Sequence, residues 1–325
     1  MQKVLITGIT GQDGLFLTNI LLHSQKKYEI VGITRALNSR DIFYNNLKNI
    51  TKKEGFNNSI ELVDVNLLNP KAIEDLIKSF SPDFVYNLSG PSSVYNSFID
   101  KSIHNSILNI FENLTGALIK NNLFPKFFQA SSSELFSNSE KPLSETSALL
   151  AKSPYAEAKL LNHFKVFSLK ENYSWPIFSG LMFNHESEFR KNEYLIMQII
   201  NGAINISKKK ADNLTIGSLN YIRDWSYAGD IAEAIYNITE NGSNTSYVIG
   251  SGEGHKILDV LEIVFGYFKL DWENHVLVDE SLLRKGDPEE IVSDPSLILK
   301  ELNWKTTTPF ESMIVKCIES KIHKL

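Results

Sequence analysis

The sequence predicts an α/β protein: a doubly wound parallel sheet with helices on both faces, and a smaller lobe built from the second half of the chain. Three observations predict it. The chain opens as an apolar strand that runs into glycines at 8, 11 and 14 and then into a helical apolar pattern from Leu15. Short apolar runs then alternate with helix-period stretches, the pattern of parallel strands joined by crossover helices. After Asn184 this rhythm breaks into shorter segments.

The first strand covers residues 1–7. In the turn Gly8-Ile9-Thr10-Gly11-Gln12-Asp13-Gly14, Gly8 permits a tight bend, Gly11 lets the backbone approach a phosphate, and Gly14 lets the helix pack close to the strand. Strand, glycine turn and helix together form the geometry that seats a dinucleotide pyrophosphate, so the sheet is Rossmann-like. Further strands are expected at 28–33, 60–64, 84–88, 126–131 and 176–182, with helices at 71–80, 103–121 and 154–171. Beyond Asn184 the pattern predicts a helix at 194–208, a strand at 213–217, a helix at 230–239 and a strand at 247–250 that could rejoin the sheet. Helices follow near 256–268, 295–302 and 309–323. The expected division is a cofactor domain of 1–183 with 221–250, and a discontinuous α/β substrate lobe of 184–220 with 251–325. That lobe would cover the carboxyl ends of the strands, where such sheets bind ligands.

Composition narrows the function. Of 325 residues, 42% are hydrophobic and 22% charged, which argues for a packed globular chain over a disordered one. A net charge of -5 offers no footprint for nucleic acid. The basic run Lys208-Lys209-Lys210 reads as a solvated helix end. The single cysteine, Cys317, excludes an internal disulfide and reads as a packed side chain. No apolar run reaches the length of a membrane span, and an opening that is already a core strand leaves no signal peptide. A cytoplasmic protein without a metal site is expected.

The second strand ends in Ile33-Thr34-Arg35, with no acid. A carboxylate there would repel a ribose 2′-phosphate, whereas Thr34 and Arg35 can bind one, so NADP is expected over NAD. Asp64-Val65 is placed to meet the adenine edge. Asn87-Leu88-Ser89-Gly90 is placed to meet the nicotinamide-side ribose. Either segment also reads as a polar strand end capping the next helix.

Tyr155-Ala156-Glu157-Ala158-Lys159 puts a phenol and an ammonium on one face of a helix. The ammonium is expected to lower the phenol pKa, so that Tyr155 can take a proton from a substrate hydroxyl. The strand before it ends in Ser131-Ser132-Ser133-Glu134, which delivers hydroxyls and a carboxylate to a strand terminus.

These segments resemble the extended short-chain dehydrogenase/reductase family of nucleotide-sugar enzymes, and most of all its GDP-mannose 4,6-dehydratase branch. The likeness runs nearly end to end. It is carried by residues 6–14, Val85-Tyr86-Asn87-Leu88, Gln129 to Leu135, Ser153 to Leu160, Phe183-Asn184-His185-Glu186-Ser187, Arg223-Asp224-Trp225 and Leu302-Asn303-Trp304. Gly11-Gln12-Asp13-Gly14 and Phe183 to Ser187 are most particular to the branch. The resemblance implies a catalytic set of Ser132, Ser133, Glu134, Tyr155 and Lys159. It implies cofactor contacts from Thr7, Thr10, Gln12, Asp13, Tyr155, Lys159 and His185 beside the glycines. It implies a GDP-linked sugar held by Ser93, Glu134, Asn184, Arg190, Arg223 and Arg284, in a homodimer or homotetramer. The implied reaction oxidises C4 of the sugar with NADP, removes the C5 proton through Glu134, expels the C6 hydroxyl as water and returns hydride to C6.

Ser132 stands where the family usually has threonine, which keeps the hydroxyl, and three further departures bear on the ligands. Ser89-Gly90-Pro91-Ser92-Ser93 stands where the family has alanine, alanine, glutamine, serine and histidine. Met197-Gln198 replaces a basic pair, and Arg35-Ala36 replaces paired arginines. The base and the sugar therefore stay open, as do a 4-epimerase, a decarboxylase, a heptose 4,6-dehydratase or an inactive NADP-binding protein. The presence of Tyr155, Lys159 and Ser133 speaks against the last.

Overall fold

The computed structural model describes residues 1–34, 40–51, 59–137, 142–283 and 286–322. The first half runs β1 (Gln2–Thr7), α1 (Gln12–His23), β2 (Tyr28–Thr34), α2 (Arg40–Thr51), β3 (Ser59–Asp64), α3 (Pro70–Phe80), β4 (Phe84–Asn87), α4 (Val94–Ile99), α5 (Ser102–Lys120), β5 (Lys126–Ala130), α6 (Pro154–Tyr173) and β6 (Ile177–Met182). The second half runs β7 (Asn184–Glu186), α7 (Leu195–Ser207), β8 (Leu214–Ile216), β9 (Ile222–Tyr227), α8 (Ala228–Asn241), β10 (Ser246–Ile249), β11 (Gly254–Lys256), α9 (Ile257–Tyr267), β12 (Val276–Val278), β13 (Glu290–Ile291), α10 (Ser296–Leu302) and α11 (Phe310–Ile322).

Seven parallel strands form the main sheet in the order β10-β6-β5-β4-β1-β2-β3. The order reverses between β1 and β4, and the crevice beyond their carboxyl ends is where such sheets take ligands. The strands are apolar on both faces because both faces are covered. Val4 and Ile6 pack with α1 and α8, while Leu5 and Val85 pack with α3 and α5. Helix starts follow their local chemistry. Asn69 caps α3 ahead of Pro70, and Ser153 caps α6 ahead of Pro154, each side chain accepting from first-turn amides.

A second assembly stands beside this sheet. Strands β11, β9 and β13 pair in that order, β7 joins β9, and β12 pairs with β8. Helices α7, α9 and α11 supply its core, with Ile199, Leu261, Phe265, Ile314 and the buried Cys317. The fully buried Asp224 of β9 ties the assembly together. Its carboxylate accepts from the Ser251 amide at 2.9 Å, the Gly252 amide at 3.0 Å, the Ser293 amide at 3.2 Å and both serine hydroxyls.

The expected division by residue number differs from this packing at two places. β9 falls in the stretch assigned to the cofactor half, yet it pairs only within the second assembly, and Trp225 lies in the second core. Conversely, Ile298 of α10 and Trp304 bury into the first core, where the Trp304 indole donates to the Asp230 carbonyl at 3.2 Å. The sequence reading also passes over α2, α4, β7, β9 and β11 to β13. In α2 only Phe43, Leu47 and Thr51 are buried, a stripe of one residue per turn. The omitted strands of the second assembly are six residues long at most, too short for period-2 alternation to stand out. The helix expected from Leu15 begins at Gln12.

Candidate active site

The glycine turn is built to leave amides open. Gly8 adopts φ +71°, and a Cβ there would meet the Leu88 carbonyl oxygen at 2.9 Å. A Cβ on Gly14 would sit 2.5 Å from the Ile9 Cα, so the helix approaches the strand as closely as expected. The N-cap of α1 is Gly11, which offers no side chain to the first-turn amides. These donors at a helix start, flanked by a cradle that admits no side chain, fit a pyrophosphate. Thr34 is buried at the end of β2, and Asp64 lies exposed at the end of β3 with Val65 half-buried beside it. Arg35 lies outside the described residues. Thr10 is exposed beside the turn.

A buried polar relay links the strand ends around this crevice. The Thr7 hydroxyl donates to Asn87 Oδ1 at 2.7 Å, Asn87 Nδ2 donates to Gln129 Oε1 at 2.7 Å, and Gln129 Nε2 donates to the Ala130 carbonyl at 2.8 Å. Lys159 Nζ donates to the same carbonyl at 2.8 Å. The Ser89 hydroxyl joins at Asn87 Oδ1, at 3.1 Å, and the Ser89 amide reaches Thr7 Oγ1 at 3.3 Å. The relay satisfies each buried group and fixes the edges of β1, β4 and β5 against one another. Gln129 was not singled out in the sequence, although a lone amide after Phe127 and Phe128 in an apolar strand was the signal for it.

Beyond β5 the chain makes a one-turn 3-10 helix, Ser133–Leu135, capped by the Ser132 hydroxyl, which accepts from the Glu134 amide at 3.2 Å. This turn packs against α6, and the Ser132 hydroxyl and the Glu134 carboxylate act on the Tyr155 phenol in opposite directions. Ser133 is buried. The turn that carries Ser133 and Glu134 after Ser132 thus packs against the helix of Tyr155 and Lys159.

It corrects the expected electrostatics. Tyr155 is 7% exposed, and burial pushes its pKa up to about 12, with the Glu134 charge adding to the rise. The Ser132 hydrogen bond and the Arg190 charge work against that rise. Burial also draws Lys159 down to about 8, opposed by Asp13. The ammonium sits 5.8 Å from the Tyr155 ring centroid and donates to Ala130 instead of the phenol oxygen. Desolvation therefore outweighs the expected help from the lysine.

The two motifs most particular to the resemblance meet in space. Gln12 Nε2 donates to the His185 carbonyl at 3.0 Å, and the Ser187 hydroxyl donates to Gln12 Oε1 at 2.8 Å. His185 Nδ1 lies 2.7 Å from the Phe183 carbonyl and Nε2 lies 3.1 Å from Asp13 Oδ1. Two acceptors facing both ring nitrogens call for an imidazolium. Burial opposes that charge, but Asp13 overcomes it and holds the His185 pKa above its ordinary value. Burial likewise opposes ionisation of Asp13, and His185 overcomes it, leaving that carboxyl below its ordinary range. Neither motif announces its partner in a single sequence.

The described residues among those expected to hold the substrate lie on separate segments. Asn184 and His185 lie on β7. Arg190 Nε is 3.1 Å from the Glu186 carboxylate. Ser93 caps α4, accepting from the Asn96 amide at 3.1 Å. Arg223 of β9 is buried, with Nη2 3.1 Å from Asp287 and Nη1 donating to the Ile222 and Glu289 carbonyls. Arg284 lies outside the described residues. Of the departing pair, Met197 is buried in the second core, and Gln198 turns its amide to the Glu193 carbonyl at 3.0 Å. Among the described residues, no cluster of three or more histidine, cysteine, aspartate or glutamate side chains could hold a metal, and no helix is long and apolar enough to cross a membrane.

Comparison with known proteins agrees with this arrangement. A family model described as GDP-mannose 4,6 dehydratase matches residues 5–317. GDP-mannose 4,6 dehydratase 1 of Arabidopsis thaliana is 31% identical over 98% of this chain and 89% of its own length. Among solved structures, RMD from Pseudomonas aeruginosa, complexed with NADPH, superposes with a TM-score of 0.81 at 18% identity, covering 100% of this chain and 99% of its own. The dTDP-glucose 4,6-dehydratase of Bacillus anthracis, in complex with NAD, gives 0.82 at 18% identity, covering 99% and 97%. The structural likenesses establish the fold, and the match along nearly the whole sequence establishes the lineage: the chain belongs to the GDP-mannose 4,6-dehydratase family of hydro-lyases.

Proposed function

We propose that the protein is a GDP-sugar 4,6-dehydratase that uses NADP. One observation carries the proposal: the single turn after β5 that bears Glu134, capped by Ser132, packs against α6, the helix of Tyr155 and Lys159. Oxidation of one alcohol needs only the phenol and its lysine. Eliminating water from a ketosugar needs a second proton acceptor, and Glu134 is that group. The family match and the relatives named for GDP-mannose support the GDP-linked substrate.

In this proposal the amides behind Gly8, Gly11 and Gly14 hold the pyrophosphate, with Thr10, Gln12 and Asp13 shaping that turn. Thr34 and Arg35 hold the 2′-phosphate, Asp64 and Val65 the adenine edge, and Leu88, Ser89 and Gly90 the nicotinamide-side ribose. The chemistry NADP supplies when bound is the uptake and return of hydride. Tyr155 takes the proton of the sugar 4-hydroxyl, whose oxygen Ser132 and Ser133 hold. Lys159, fixed on Ala130, orients the nicotinamide side of the pocket and places its charge beside Tyr155. Glu134 removes the C5 proton, which the C4 ketone has made acidic, and passes a proton to the C6 oxygen, which leaves as water. A proton from the exchangeable pool then returns to C5 as the C5–C6 double bond is reduced. Asn184, Ser93, Arg190, Arg223 and Arg284 hold the diphosphate and sugar, with the diphosphate taking the place of Asp287 on Arg223. The two packed cores serve as a cofactor lobe and a substrate lobe. An exposed apolar stripe on neighbouring helices, Phe98 and Ile99 of α4 with Leu161 and Phe164 of α6, is the contact between two copies of the chain.

The test is a panel of GDP-, UDP- and dTDP-linked hexoses incubated with the protein and NADP, with products read by mass spectrometry. Loss of one water from GDP-mannose is expected. A product of unchanged mass would indicate epimerisation, and water loss only from UDP or dTDP sugars would overturn the GDP assignment.

A further inference from the structure

We infer that Tyr194 is a positioning residue: it straps the loop after β4 to the segment before α7, and its ring holds the Arg190 guanidinium. The inference rests on the dehydratase proposal for its kinetic consequences and on geometry for the strap itself. The Tyr194 hydroxyl lies 2.6 Å from Ser92 Oγ. Ser92 belongs to the loop between β4 and α4, and Tyr194 sits at the N-cap of α7, 102 residues later. The face of the Tyr194 ring carries the Arg190 guanidinium 3.4 Å from its centroid, and Arg190 Nε is paired with Glu186 at 3.1 Å. Ring and carboxylate together fix the guanidinium more firmly than either contact would alone.

The loop needs such a tie. Its first anchor is Ser89, bonded to Asn87 and Thr7, and its last is Ser93, which caps α4. Between them Gly90 adopts φ +133°, a conformation open to glycine and strained for other residues, so the chain can pivot there. The Ser92–Tyr194 bond holds this pivoting stretch against the second assembly. The charged and titratable groups acting on Tyr155 are Glu134 from the turn after β5 and Arg190 with Tyr194 from the segment before α7; Lys159 on its own helix faces its ring, and Asp13 acts on Lys159 in turn. The Arg190 charge works to lower the Tyr155 pKa, while the Tyr194 phenol itself works to raise it. Losing the ring would let that charge drift, whereas losing only the hydroxyl would not.

The experiment compares full-length wild type with Tyr194→Phe, Ser92→Ala, the double variant and Tyr194→Ala. Amide hydrogen exchange of peptides covering 88–98 is read first, then kcat and KM for GDP-mannose across pH. Tyr194→Phe and Ser92→Ala should each speed exchange and raise KM about three-fold, the size of one lost exposed hydrogen bond, with kcat changed less than about two-fold. The double variant should do no more than either single one. Tyr194→Ala should in addition place the rising limb of kcat at higher pH than in Tyr194→Phe, because both lack the phenol and only the alanine variant lets the Arg190 charge drift. Unchanged exchange in both single variants, or a Tyr194→Ala profile that superposes on that of Tyr194→Phe, would overturn the inference. If wild type releases no water from GDP-mannose, the dehydratase proposal fails, and the exchange data alone decide for or against the strap.

Discussion

At the level of single residues, the site turns on Glu134. Tyr155 and Lys159 were legible as a Tyr-x-x-x-Lys pair, and Ser132 to Glu134 as a polar strand end, because both patterns are local. The acidity of Tyr155 was not legible. It is set by burial among α4, α5 and α6, and burial is a property of packing. Replacing Glu134 by Gln keeps size and hydrogen bonding but removes the proton acceptor. The variant should lose about a hundred- to ten-thousand-fold in the rate of water release, the usual worth of a positioned base. Its affinity for NADP should stay at the wild-type level, since Glu134 is not among the groups assigned to the dinucleotide. Rapid-quench analysis of product, with cofactor titration alongside, checks both halves, and water release at a normal rate would remove Glu134 from the chemistry.

Among the elements, the join between the glycine turn and β7 carries a pH signature. The Asp13–His185 pair forms only when both partners are charged. The His185 pKa is raised above its ordinary 6.5, so its contribution to stability is complete below that value and is lost as pH rises through the raised one. The Asp13 pKa is lowered from its ordinary 3.8, so its contribution is present above that value and is lost as pH falls through the lowered one. Thermal unfolding of wild type and Asp13→Asn should therefore differ most near about pH 6 and converge as pH rises through the raised His185 pKa. A constant difference across that range would mean the pair is not charged. The glycine turn itself was legible, because a positive φ and a backbone contact can each be read from a glycine at fixed spacing. The second sheet was not, because strands such as Gly254–Lys256 and Glu290–Ile291 exist only through their pairing with β9.

For the whole molecule, the long parallel sheet follows from its apolar strands, while the second assembly is stitched together by groups far apart in sequence. Asp224 reaches Ser251 and Ser293 within it, and Asp230 of α8, on the first core, accepts from the amides of Thr307 and Thr308 at 3.0 and 2.9 Å. Such long-range acceptors leave no periodic trace, which is why the lobe boundaries could not be drawn from sequence. The apolar stripe on α4 and α6 belongs to this scale too. Phe164 is 54% exposed, so Phe164→Glu should leave the fold intact while placing a charge in the proposed contact between copies. If wild type sediments as the proposed dimer or larger assembly, the variant should sediment as a monomer, and an unchanged sedimentation coefficient would move the contact elsewhere.

The most direct test of a phenol and a carboxylate acting on one hexose is turnover of GDP-mannose with NADP in deuterium oxide, followed by mass spectrometry and proton NMR of the sugar. The account predicts a 4-keto-6-deoxy product, lighter by one water and carrying solvent deuterium at C5. A dehydrated product that keeps its original C5 hydrogen, or a 4-keto sugar that accumulates with its C6 hydroxyl intact, would contradict it.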